Sequence, residues 1–246
     1  MNPFIRFENI YKAFDSNQVF KGLTLDIYKG ETITIIGGSG TGKSVLLKLL
    51  LGLLPVDSGK IYFDGEDVTT MDPDHLLKMR KRIGMLFQGA ALFDSLNVAE
   101  NVAYPLVENG YRGEKPLDEI IHEKLGMVGL PDKQEIMPAD LSGGMKKRVG
   151  LARAIATDPE VILYDEPTTG LDPTNTNRID ELIIDLQKKL KVTSIVVTHD
   201  MKSAFTISDR MALVYNKKIE FVGTVDEVKN SKNELVQNFI HGQIGE

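Results

Sequence analysis

A chain of 246 residues, 42% hydrophobic and 26% charged, has the length for one large α/β domain, or a core with a modest insertion, around an ordinary apolar interior. It contains no cysteine, which excludes disulfide frameworks, thiolate zinc sites and thiol nucleophiles. A net charge of −6 and a pI near 5.4 argue against nucleic acid as the main partner, because such partners demand a basic face. Met1 to Arg6 lacks the basic stretch and long apolar run of a signal peptide. The most apolar segment, Val45 to Val56, is interrupted by Lys48 and is too short to span a bilayer. A soluble, cytosolic protein is expected, and any membrane role needs another subunit to supply the crossing.

Strand signals dominate the chain to about Phe87. Leu23-Thr24-Leu25-Asp26-Ile27 alternates strictly, as a half-buried strand does. Thr32 to Ile36 is β-branched throughout and predicts a fully buried strand. Directly after it, Gly37-Gly38-Ser39-Gly40-Thr41-Gly42-Lys43-Ser44 matches the phosphate-binding pattern G-x-x-x-x-G-K-[ST], with a helix from Val45 to Leu51 to follow. Glycines let the backbone curl so that N–H groups face phosphate oxygens, and a helix start adds partial positive charge. Lys43 would contact the outer phosphates and Ser44 would hold Mg²⁺. The competing reading, a turn with a solvated lysine, is weak because a cation in the first turn of a helix is misplaced unless an anion sits there. Further on, Lys60 to Phe63 followed by Asp64-Gly65 predicts a hairpin.

From Gly89 to Thr157 the texture is helical, with helices predicted at Val98–Val107, Leu117–Met127 and Gly144–Thr157, the last stopped by Pro159. Strands then return at Val161 to Tyr164 and Thr193 to Thr198, separated by an amphipathic helix over Asn175–Leu190, which makes a βαβ unit and a parallel sheet. The first strand ends in Asp165 and Glu166. Asp165 can orient a Mg²⁺-bound water beside Ser44, and Glu166 can polarise an attacking water, the division that phosphoryl transfer needs. Two solvated acids before the turn at Pro167 would be the plain alternative without the glycine-rich loop upstream. A helix over Glu234–Ile240 closes the chain. His75, His122 and His241 have no metal-like spacing.

Leu141-Ser142-Gly143-Gly144-Met145, leading into a helix through Arg148 and Arg153, resembles the signature of the ABC ATPases. Other elements agree in order. Phe14 lies where that family places an aromatic against adenine. Gln88 is similar to the glutamine that senses metal and γ-phosphate. Gly170-Leu171-Asp172 looks like the loop joining two active sites, and His199 like the γ-phosphate contact. The resemblance implies a P-loop NTPase (ABC ATPase) of the α/β class, with a mixed/parallel sheet and an inserted α-helical subdomain. Residues 1–88 and 158–225 would form the nucleotide-binding core, 89–157 the signature subdomain and 226–246 a C-terminal helical segment. It also implies ATP and Mg²⁺ as cofactors, with Ser44, Gln88 and Asp165 on the metal and Glu166, His199 and Gln88 in catalysis. Physically, Ser142 opens a second anion-accepting helix start. One nucleotide cannot use two such cradles from one rigid face, so a head-to-tail homodimer with ATP sandwiched between copies is expected; a simple helix cap is the competing reading.

Phe87 to Val98, Asn101 to Leu106, Met145 where most importer ATPases carry glutamine, and Gln237 to Gly242 are similar to ATPases of Mla-type phospholipid transporters. That likeness implies permease subunits docked on the helical insert, a periplasmic lipid-binding MCE protein reached through the permease, and a place at the cytoplasmic face of the inner membrane. An importer of another solute, such as an amino acid, is the alternative. A soluble ATPase acting on ribosomes or DNA, or a non-hydrolysing switch, fits less well: the chain is acidic and holds both Glu166 and His199.

Overall fold

The computed structural model describes residues 2–243, so Met1 and residues 244–246, at the ends of the ranges expected above, lie outside the described residues. In chain order the elements are β1 (Ile5–Phe14), β2 (Asn17–Ile27), β3 (Thr32–Ile36), α1 (Lys43–Leu50), β4 (Ser58–Phe63), β5 (Glu66–Asp67), α2 (Pro73–Lys81) and β6 (Ile83–Leu86). There follow α3 (Val98–Glu108), α4 (Leu117–Met127), α5 (Gly143–Ala154), β7 (Val161–Asp165), α6 (Pro173–Leu190) and β8 (Thr193–Thr198). The chain closes with α7 (Met201–Ile207), β9 (Arg210–Tyr215), β10 (Lys218–Thr224), α8 (Val225–Lys229) and α9 (Glu234–Ile240). Two compact units result, one taking in the chain up to Lys78 and again from Thr193, the other running Met79–Val192.

In the first unit β1 is the pivot of an antiparallel sheet, pairing β2 from Ile5↔Ile27 to Phe14↔Asn17 and β4 from Ile5↔Phe63. Alternation buries Ile5, Phe7, Ile10, Leu23, Leu25 and Ile27 and leaves the intervening positions polar. Asp64 and Gly65, both at positive φ, form the expected two-residue turn, with Phe63 paired to Glu66. Elsewhere in this unit β3 lies between β8 and β9, both parallel to it, and is buried at all five positions, as a strand covered on both sheet faces is. β10 adds an antiparallel edge to β9, so the sheet is mixed. Ala204, Met211, Leu213, Val228 and Val236 pack α7, α8 and α9 onto that edge.

The second unit holds a parallel pair, β6 on β7, in register from Ile83↔Val161 to Leu86↔Tyr164, with helices α3 to α6. An Asn97–Glu100 capping box starts α3, Ser142 caps α5, and Asp172 with Pro173 starts α6. The helix expected from Gly144 to Thr157 ends at Ala154 instead. Its last carbonyl comes so close to Gly84 that a Cβ there would lie 2.1 Å away, and Asp158 takes a left-handed turn into β7. Among the described residues no helix is long and apolar enough to cross a membrane.

Candidate functional site

The glycine-rich loop joins buried β3 to the N-terminus of α1, where the first turn contains no acid. Gly40 and Gly42 have φ of +74° and +93°. A Cβ on Gly37 would stand 2.8 Å from the Val214 carbonyl oxygen, and one on Gly42 only 2.3 Å from Val19 Cγ1. Lys43, 7% exposed, donates from Nζ to the Gly37 and Gly38 carbonyls at 2.8 and 2.9 Å, and Thr41 Oγ1 donates to Gly38 O at 2.9 Å. The loop is thus cinched around its own ammonium, with glycine imposed by both torsion and contact. Gly42→Ala should lower folding stability by about 1–3 kcal/mol. A chemical-denaturation midpoint unchanged from the parent would show that the loop does not need this torsion.

Parallel pairing sets what shares this edge. Ile36 is opposite Thr198, so Gly37 and His199 leave their strands at the same C-terminal rim, where open α/β sheets bind ligands. His199 is exposed there, and Asp200 caps α7 by accepting from the Lys202 and Ser203 amides. A pocket of about 270 Å³ opens beside the loop, lined by Ser39, Gly40 and Thr41 on one side and by Val19, Tyr215 and Lys217 among others. The turn residues Asn216 and Lys217, both non-glycine at positive φ, carry no motif that could have marked them in advance. Phe14, at the end of β1, is 41% exposed, with Lys12 Nζ 5.2 Å from its ring centroid and tethered to Asp57 at 2.9 Å. Its face offers a stacking surface already partnered by a cation.

In the second unit β7 ends at Asp165, and Glu166 turns out of the strand at φ +49°. A non-glycine residue held there is strained, which points to a functional constraint. Thr169 Oγ1 donates to Glu166 Oε2 at 3.1 Å. Gln88 follows β6 as Glu166 follows β7, and Lys147 of α5 donates to the main-chain carbonyls of both, at 3.1 Å for Glu166. Burial pushes the Lys147 ammonium below the ordinary lysine range, opposed by the charges of Glu166 and Asp165. Sequence reasoning missed Lys147, since a lysine inside a helix looks like a solvated face.

The Leu141–Met145 segment is the start of α5, with Ser142 Oγ accepting from Met145 N at 3.3 Å. Gly144 presses on α6: a Cβ would sit 2.5 Å from Asn175 Oδ1. Asn175 Nδ2 in turn donates to Asp172 Oδ2 at 2.5 Å, and this bond, with the Asn175 and Thr174 amides, holds the Asp172 carboxyl below the usual range. Gly144 and the Gly170–Asp172 loop are therefore one packed arrangement. Ser44, Gln88 and Asp165 carry hard oxygen donors of the kind Mg²⁺ takes, and no cluster of three His, Cys, Asp or Glu among the described residues could hold a metal by itself. Each of these side chains, Ser44 in the first unit and Gln88 and Asp165 in the second, has the oxygen chemistry that suits an ion arriving with phosphate.

An apolar groove of about 460 Å³ also lies in this unit, lined by Met85, Phe87, Ala91, Phe93, Tyr104 and Pro105 among others. Phe87, Phe93 and Tyr104 are 41%, 41% and 38% exposed, and the last two rings meet at 4.5 Å.

Comparison with known proteins adds four findings. The family model described as ABC transporter matches residues 20–169. The chain is 39% identical over 243 residues, 99% of its length and 70% of the relative's, to the probable ribonucleotide transport ATP-binding protein mkl of Mycobacterium leprae, strain TN. It is 40% identical over 225 residues, 92% of its length and 85% of the relative's, to the intermembrane phospholipid transport system ATP-binding protein MlaF of Haemophilus influenzae. Among solved structures it is similar to the dimeric ATP-binding cassette MJ0796 in a post-hydrolysis state bound to ADP and Pi, with TM-score 0.82 and 32% identity over 90% of this chain and 98% of that one.

Proposed function

Because this chain belongs to the ABC transporter family of ATP-binding subunits, we propose that it powers phospholipid transport as a homodimer on the cytoplasmic face of a permease. ATP binding and hydrolysis, coupled to movement of a solute through a permease, come with the family itself. Phospholipid as cargo is our finer reading, supported by 40% identity to MlaF across 92% of the chain. A second reading is an importer of a different solute, and the name of the mkl relative favours it.

The observation that carries the residue assignment is the glycine-imposed cradle at the start of α1, closed on Lys43. Gly37 to Ser44 take the phosphates and Phe14 takes the adenine face. Ser44, Gln88 and Asp165 would hold Mg²⁺, which would supply charge neutralisation on the phosphates. Glu166 orients the water and accepts its proton as the oxygen–phosphorus bond forms and ADP departs, while His199 donates to the γ-phosphate. Ser142 to Met145 of one copy face the nucleotide held by the other copy in this reading, and the dimeric form of the MJ0796 relative supports a pair. Asp172 lies at the junction of the two sites.

By role, residues 1–88 and 158–225 serve as nucleotide core, 89–157 as helical subdomain and 226–246 as C-terminal segment. The apolar groove with Phe87, Phe93 and Tyr104 suits an apolar helix of the permease, and its link to Gln88 one residue away would carry the nucleotide signal. A periplasmic MCE protein is the expected further partner. Purifying the chain with its membrane subunits and identifying the bound molecule by mass spectrometry tests the cargo. Phospholipid is expected. A ribonucleotide or amino acid in its place would favour the second reading, and ATPase stimulation by ribosomes or DNA alone would remove the transporter role.

A further inference from the structure

β6 and β7 run parallel and in register up to Leu86↔Tyr164. Gln88 and Glu166 each stand two residues beyond that pair, where the ladder has ended and Glu166 turns aside at φ +49°. Neither main-chain carbonyl belongs to the interstrand ladder, and that of Glu166 accepts from the Thr169 amide at 3.3 Å within its own turn. Lys147, 5% exposed, reaches both of them with one ammonium, donating to Glu166 O at 3.1 Å and to Gln88 O. An ammonium supplies three donors that rotate to suit, so a single side chain bridges two carbonyls beyond the end of the ladder. A buried charge is tolerated only when its hydrogen bonds are made, which fixes the separation of the two carbonyls as firmly as it fixes the lysine.

We infer that Lys147 is a positioning residue for hydrolysis: by clamping the carbonyls of Gln88 and Glu166 it fixes where both side chains point and ties them to the helix that opens at Ser142. The inference rests on the roles assigned to Gln88 and Glu166 above. Two further contacts make α5 a stiff support for this work. Arg153 donates to the carbonyls of Ala90 and Ala91 at 2.7 Å each, holding two successive left-handed alanines just after Gln88. Gly150 lets Leu86 and Ala90 approach so closely that a Cβ would meet them at 2.9 and 3.3 Å. Movement of the α5 start is thereby delivered to the segment after β6 and to the turn after β7 together.

The test uses the full-length chain with Lys147→Met, Lys147→Gln and Lys147→Arg. Lys147→Met should lower kcat about tenfold to a hundredfold, the scale of a small misplacement of reacting groups, while equilibrium ATP affinity stays within about threefold. Lys147→Arg, which keeps charge and donors, should recover most of the rate, and Lys147→Gln should fall between. Hydrogen exchange should rise in peptides covering both 88–92 and 166–170 in Lys147→Met, without change over 43–50. Should Lys147→Met fail to fold, the Gln variant decides by the same split between kcat and affinity and by the same two peptides. Turnover within twofold of the parent in the folded variants, or affinity falling in step with kcat, would overturn the inference. Glu166→Gln in parallel keeps the two claims apart: if it loses turnover and Lys147→Met does not, only the clamp fails.

Discussion

Glu166→Gln should bind ATP as the parent does, lose steady-state turnover by about a hundredfold or more, and persist as an ATP-held dimer. The substitution keeps volume and removes the carboxylate's charge and, with it, the ability to take a proton. Its oxygen can still accept from Thr169 Oγ1, and the main-chain carbonyl that Lys147 holds is untouched, so the φ +49° turn survives. Removing the negative charge also relieves its repulsion of the nearby phosphates, which favours closure. Phosphate release, a fluorescent-nucleotide titration and light scattering with and without ATP read the three effects separately. Normal hydrolysis in a folded variant would mean that another group activates the water.

The parts of this molecule that were legible in advance are those where local chemistry permits one backbone path. Thr32–Ile36 is β-branched and had to be interior, and Asp64-Gly65 had to turn. The spacing of Gly37, Gly42 and Lys43 leaves little besides a phosphate loop, and close contacts at Gly37 and Gly42 show why no other residue serves. What stayed hidden depends on partners far along the chain. Lys147 is one lysine among several until its two carbonyl acceptors, 59 and 19 residues away, come to it. Asn101, fully buried, accepts from Phe93 N and donates to the carbonyls of Phe93, Leu96 and Asn97, folding the segment ahead of α3 around one amide. Neither amide nor ammonium announces such work in its neighbours. The helix end was misplaced for the same reason. Pro159 marks a stop, but the close passage of Ala154 over Gly84 determines where α5 ends.

Lys43→Met and Gly144→Asp should each abolish turnover, and an equal mixture of the two should hydrolyse ATP. Met matches the length of Lys43 but cannot donate to phosphate or to the Gly37 and Gly38 carbonyls. Loss of charge-assisted bonds worth about 1.5–3 kcal/mol each should weaken ATP binding about tenfold to a hundredfold. Asp at 144 acts differently. Its Cβ would already be 2.5 Å from Asn175 Oδ1, so Asn175 must yield, and a carboxylate then stands at a helix start meant for an anion. ATP affinity in the isolated Gly144→Asp chain should therefore be unchanged, since its own Gly37–Ser44 loop is intact. In a head-to-tail pair of one copy of each, one site combines both defects and the other combines the intact loop of one with the intact Ser142–Met145 start of the other. Restored hydrolysis follows only if every site is assembled from two chains. A mixture that forms heterodimers, as seen by affinity-tag pull-down, yet stays inactive would place the loop and signature of one and the same chain on each nucleotide or assign the signature no nucleotide contact.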